Sequence, residues 1–142
     1  MLETIPLSAS QGAQPKAAPG DGSETDRAAI ERLREEDREA TLSDSADQLA
    51  KLWDKDGVRF PGGSPAEIGA AVIYADDKRG EMSSGRERTL CYDIEIQDVQ
   101  IAGDWAFEWG YLSGKSSKGG KESIFYGNMM RETRRRNFAL LN

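Results

Sequence analysis

The sequence predicts an α+β fold in which three N-terminal helices cover one face of a curved antiparallel sheet. Three observations predict it. Apolar residues recur at helical spacing up to about residue 82, then at a spacing of two from Leu90 onward. Helical segments come first and an antiparallel meander follows, the order of an α+β fold. The chain has 142 residues, enough for one domain.

Residues 1–24 are rich in Ala, Ser, Gly, Pro and Gln, and are expected to be a flexible extension preceding a domain over residues 25–142. A first helix is expected from Thr25 or Asp26, buried along Ala29, Ile30, Leu33 and Ala40. In "SDSADQLAKLWDKDG", Ser43 or Asp44 is the expected cap of a second helix buried on Leu49, Leu52 and Trp53, and Asp56-Gly57 ends it. "VRFPGGSP" reads as a short strand and a Pro/Gly loop. Ser64 followed by Pro65 then predicts the start of a third helix, amphipathic around Ile68, Val72 and Ile73.

In the second half Leu90, Tyr92, Ile94 and Ile96 alternate, and Val99 and Ile101 continue with the opposite parity. Such a phase flip predicts a β-bulge near Asp98. If Gly103 and Asp104 form a two-residue turn, residues whose numbers sum to 207 pair, Val99 with Glu108 and Asp98 with Trp109. In the next strand, "WAFEWGYLSG", Trp105, Phe107, Trp109 and Tyr111 share one face and Ala106, Glu108, Gly110 and Leu112 the other. The rings are expected on the concave face, and the Gly110 face outside. "GKSSKGGKE" reads as a flexible loop and "SIFYGNMMRET" as a last strand.

Composition narrows the chemistry. The chain has no histidine, which removes the usual neutral-pH base, Ser-His and Cys-His pairs and ordinary zinc sites. Acid–base work would fall to carboxylates, tyrosines or lysines in shifted environments. With a single cysteine, Cys91, no intramolecular disulfide can form. A formal charge of −6 argues against nucleic acid and anionic membranes as partners, although "RETRRR" at 131–136 is locally basic. No metal or cofactor is expected: "PGGSP" and "KGGKE" lack the pattern of a phosphate loop, and Asp76-Asp77 lacks further calcium ligands. The start "MLETIPLSAS" lacks the features of a signal peptide, and no apolar run is long enough to cross a bilayer, so a cytoplasmic protein is the expectation.

The segments "DRAAIERL", "DQLAKLWDKDGVRFPGGSPAEIG" and "YDIEIQDVQIAGDWAFEWGYLSG" resemble the SnoaL-like branch of the nuclear transport factor 2-like superfamily, over roughly residues 26–130. The resemblance implies a cone: a strongly bent antiparallel sheet wrapped around helices, with an internal apolar pocket and dimers formed through the sheet. Its members include cofactor-free isomerases, cyclases, hydrolases and dehydratases, which place carboxylates and tyrosines in an apolar cone. The family usually ends with a Gly-x-Trp-Lys/Arg strand. The ending here, "RETRRRNFALLN", departs from that.

On this basis the expected function is binding of a small apolar or aromatic molecule, polyketide- or steroid-like. Cofactor-free isomerase, cyclase or hydrolase activity is the catalytic option, and a non-catalytic dimerisation or ligand-sensing module is the other. The candidate catalytic residues are Glu108, which the residues alone also allow as an interface or solvent-facing group, and Asp37, one helical turn after Leu33. The candidate pocket residues are Trp53, Phe60, Tyr92, Trp105, Trp109 and Tyr111.

Overall fold

The computed structural model describes residues 24–134, so residues 1–23 of the expected extension and the last eight residues lie outside it, while Glu24 opens the first helix. The elements are α1 (Glu24–Ser43), α2 (Ala46–Ala50), β1 (Val58–Arg59), β2 (Glu67–Ile68), α3 (Ala70–Met82), β3 (Arg88–Ala102), β4 (Trp105–Lys118) and β5 (Lys121–Arg134). Strands β3, β4 and β5 form an antiparallel meander, and β1 and β2 a separate small hairpin. This is the expected α+β architecture, helices packed on an antiparallel sheet, and among the described residues the sheet does not close into a barrel.

The apolar stripe of α1 falls where its spacing puts it. Ala29, Ile30, Leu33 and Ala40 are buried, and Ala29 and Ile30 pack on Ile101 of β3 and Ala106 of β4, with Val99 beside them. This contact decides which side of the sheet is inside.

The β3–β4 register is the one the turn predicts. Ala102 faces Trp105, Val99 faces Glu108 and Asp98 faces Trp109. Ile96 then faces Gly110, which leaves Gln97 as the extra residue of a bulge. The bulge lets Tyr92, Ile94 and Ile96 share a face with Val99 and Ile101 despite their opposite parity. A second irregularity lies between Thr89 and Cys91.

Several boundaries differ from expectation. Helix α2 ends at Ala50 rather than at Asp56-Gly57, so Leu52 and Trp53 lie beyond it and Ala46 is its buried residue. The cap of α2 is Ser45, whose Oγ accepts a hydrogen bond from the Gln48 N–H at 3.3 Å, because Asp44 is in the left-handed region (φ 59°) and turns the chain instead. The third helix starts after Gly69 (φ 93°) rather than at Pro65, because Glu67 and Ile68 are drawn into pairing with β1. That pairing sets Arg59 opposite Glu67, and the Arg59 guanidinium also reaches Asp76 and Asp77 of α3. Burial disfavours the Arg59 charge, but the hydrogen bonds to Glu67 and Asp77 outweigh it and raise its pKa. Finally, "GKSSKGGKE" is mostly strand. β4 runs through Lys118 and the turn is Gly119-Gly120 alone, both at positive φ, a conformation suited to a two-residue hairpin.

Candidate active site

The site is built where α1 crosses the inner face of the sheet. Arg34, Asp37 and Arg38 are three and four residues apart, so they share one side of the helix. Opposite them, one cross-strand row of the sheet holds Val99, Glu108 and Arg131, in register on β3, β4 and β5. Glu108 therefore meets arginines from two directions.

Glu108 is 2% exposed. A carboxylate this deep is costly unless paired. Arg34 supplies the pair: its Nε donates to Glu108 Oε2 at 3.2 Å, and one of its terminal nitrogens lies at the same distance from that oxygen. The other oxygen, Oε1, is buried without a hydrogen bond. Its nearby cation is Arg131, with Nη1 at 3.7 Å. The other arm of Arg131 donates to Asp37 Oδ2 at 2.5 Å. The order of charges is therefore Arg34, Glu108, Arg131, Asp37.

Tyr92 completes the group. It is 6% exposed, and Arg38 Nε donates to its backbone carbonyl at 3.3 Å. Burial pushes its hydroxyl pKa up and the nearby Asp37 charge adds to this, while a hydrogen bond with Thr41 and the Arg131 and Arg38 charges oppose it.

An apolar wall continues from this cluster along the inner face. Ile96, Gly110 and Met129 form one row, Ile94, Leu112 and Gly127 the next, and Tyr92, Gly114 and Phe125 the third. The apolar side chains of these rows other than Tyr92 are half-buried. A Cβ on Gly127 would have no atom within 4 Å, so the middle row is open above it. At Gly114 the Phe125 ring and Tyr92 Cβ close in, within 2.6 and 2.8 Å of where a Cβ would stand.

Of the residues singled out in the sequence, the structure brings Glu108, Asp37 and Tyr92 together. Trp105, Trp109 and Tyr111 lie on the opposite, outer face, 42%, 37% and 51% exposed. The rings share one face as the alternation requires, but that face points away from α1. The Gly110 face, expected outside, is the buried one. Trp53 is half-buried with its ring against Gly57, and Phe60 projects from the β1–β2 connection at 81% exposure.

Arg34, Arg131, Leu112, Phe125 and Met129 were not singled out. Arg34 sat in the charge run "RLREEDRE", indistinguishable from a solvated face. In the sequence Arg131 reads only as the first residue of the locally basic stretch 131–136. Its register opposite Glu108 was the available signal, since β5 follows β4 by a two-glycine turn.

Among the described residues, depressions open on both sides of the sheet. A groove of about 560 Å³ opens on the outer face, lined by Glu95, Tyr111, Tyr126 and Asn128 among others. A cleft of about 110 Å³ opens between α1 and β3, lined by Glu31, Arg34, Glu35, Arg38 and Ile94. No cluster of His, Cys, Asp and Glu among the described residues has the arrangement of a metal site, and no described helix is long and apolar enough to cross a membrane.

No protein-family model matches the sequence, and no curated protein is similar enough to count as a relative. Solved structures are similar in shape. A ketosteroid isomerase-like protein from Erwinia carotovora atroseptica is 20% identical, with a TM-score of 0.65 over 75% of this chain and 82% of that one. A candidate dehydratase from the NTF2-like family of Streptomyces avermitilis is 16% identical, with a TM-score of 0.58 over 78% and 86%. An LEH-like epoxide hydrolase from M. tuberculosis is 15% identical, with a TM-score of 0.52 over 75% and 74%. At these identities the likeness concerns the fold. The chain has the α+β fold of the nuclear transport factor 2-like superfamily, the one its sequence resembles.

Proposed function

We propose that the protein binds a small, largely apolar molecule against the inner face of its sheet and that Glu108 performs cofactor-free acid–base chemistry on it. One observation carries this reading: Glu108 Oε1 is a buried acceptor with no hydrogen bond, at the end of a wall of Ile94, Ile96, Leu112, Phe125 and Met129. An unpaired carboxylate oxygen in low dielectric is the atom with most to gain from a ligand's proton. Arg131, at 3.7 Å, would balance negative charge developing on a ligand oxygen. The chemistry suits isomerisation, cyclisation or hydrolysis of a polyketide- or steroid-like substrate, since each moves a proton without a redox change. The catalytic activities in the names of the similar structures are compatible with it.

The test uses 2-naphthol, a rigid aromatic alcohol whose fluorescence reports its surroundings. Saturable binding to the wild type is expected. Glu108→Gln should weaken it roughly tenfold, because a hydrogen bond to a charged acceptor is replaced by one to a neutral amide. Met129→Asp should weaken it through the wall. The reading is wrong if naphthol and a steroid enone both fail to bind, or if neither substitution matters.

A second reading, the dimerisation module, is favoured by the outer face. Tyr126 is 81%, Met130 75% and Ile124 64% exposed there, beside Trp105, Trp109 and Tyr111. Exposed large apolar side chains gathered on one face support an interface reading. The two readings are compatible: a homodimer through the outer face leaves the inner face free for a ligand.

A further inference from the structure

We infer that Asp37 is a positioning residue: it holds Arg131 away from Glu108 and so keeps Oε1 open. The inference rests on the proposed role of Glu108 and goes one residue beyond it.

Arg131 has two carboxylates to choose from. Its Nη2 sits 2.5 Å from Asp37 Oδ2, and its Nη1 is 3.7 Å from Glu108 Oε1. A charge-assisted hydrogen bond forms at about 2.7–2.9 Å, so closing on Glu108 needs a shift of only about 1 Å. Glu108 lacks this second bond although the cation is adjacent and Oε1 has no other partner. The pull of Asp37 accounts for it. Arg34 fixes the carboxylate by its other oxygen, so Glu108 cannot turn toward Arg131 without giving up Arg34. One oxygen is thus anchored and the other left unbonded, with Arg131 held at a distance where it still acts electrostatically.

If Asp37 is neutralised, Arg131 has one carboxylate left, and the guanidinium closes on Oε1. Both oxygens of Glu108 are then occupied, which stabilises the anion and blocks its approach to a ligand. Asp37 therefore acts through Arg131 and touches no reacting atom.

The experiment reads the reactivity of Glu108 directly and needs no substrate. N,N′-diisopropylcarbodiimide is a small apolar reagent that adds a carboxyl O–H across one C=N bond. The adduct rearranges to a stable N-acylurea that peptide mass spectrometry localises. Glu108 should label in the folded wild type. Asp37→Asn, which keeps the shape and removes the charge, should slow this roughly tenfold, the worth of one hydrogen bond to a charged group. In an Arg131→Gln background the same Asp37→Asn change should have no further effect, because the arm through which it acts is gone. A loss of α1 packing alone would do the opposite, speeding the labelling in every Asp37 variant. Equal rates in wild type and Asp37→Asn overturn the inference and leave Glu108 as the reactive group. A wild type in which Glu108 labels only after unfolding overturns both. Circular dichroism of each variant confirms that the rates refer to folded protein, and Arg131→Gln alone supplies a second arm: it should label at least as fast as the wild type.

Discussion

At the scale of the residue, Glu108 is held by what surrounds it rather than by its own preferences. A strand glutamate is ordinarily solvated, and here it is 2% exposed because Ala106 and Ile101 bring α1, and with it Arg34, onto its face. Removing the partner is expected to cost more than removing the pair. Arg34→Met should destabilise the protein by about 3 kcal/mol in urea denaturation, the usual cost of stranding a buried charge. Arg34→Met combined with Glu108→Gln should recover most of that loss; full additivity of the two single effects would show that they do not interact. Tyr92 gives a pH prediction. Its pKa is raised in the folded state, chiefly by burial, so its contribution to stability is complete below about pH 10, the ordinary tyrosine value, and is lost as pH rises through the higher folded value. Tyr92→Phe should therefore flatten the alkaline limb of the stability curve and leave the neutral region's slope unchanged. An alkaline limb identical to that of the wild type would mean that another group causes it.

At the scale of the element, the bulge at Gln97 and the glycines opposite it shape the inner face. Gly110 lies where a Cβ would come within 2.3 Å of the Glu95 carbonyl oxygen, so β3 crosses it too closely for any side chain. Gly110→Ala should cost about 1–3 kcal/mol, as an overpacked site does. Gly127→Ala, with nothing within 4 Å, should change stability by less than about 0.5 kcal/mol. If the two cost the same, close approach is not what selects glycine at 110. The helical half has its own tie in Arg59, whose carboxylate partners come from β2 and α3. Arg59→Met should loosen the β1–β2 hairpin and the first part of α3 together, seen as faster amide exchange in both.

At the scale of the whole molecule, the division of the sheet into two faces matters most. The inner face carries the buried acid and its arginines. The outer face carries large apolar side chains from β4 and β5, with Arg134 stacked 5.0 Å over the Trp105 ring at one end. If that outer surface holds two copies together, Trp109→Glu with Tyr126→Lys should convert a dimer to a monomer in sedimentation velocity without abolishing naphthol binding. A wild type that sediments as a monomer would remove the interface reading and leave the inner-face site untouched.

Much of this protein was legible in one dimension. Spacing alone predicted the buried stripe of α1, the β3–β4 register from the turn as far as Asp98, and a bulge beside it, because each depends on contacts close in sequence and on the fixed period of a helix or strand. The same alternation showed that Trp105, Trp109 and Tyr111 share a face. It could not say which face, since a period of two is symmetric and the choice is made by where α1 lands. Aromatic content pointed to the inside, but the structure covers the glycine- and alanine-bearing side instead, because small residues let a helix approach closely. For the same reason the arginines of the site, 74 residues apart from Glu108 along the chain on one side and a hairpin away on the other, read as surface charge. Local periodicity determined the elements and their registers, and only the long-range packing of a helix on a sheet decided which carboxylate would be buried and what would hold it.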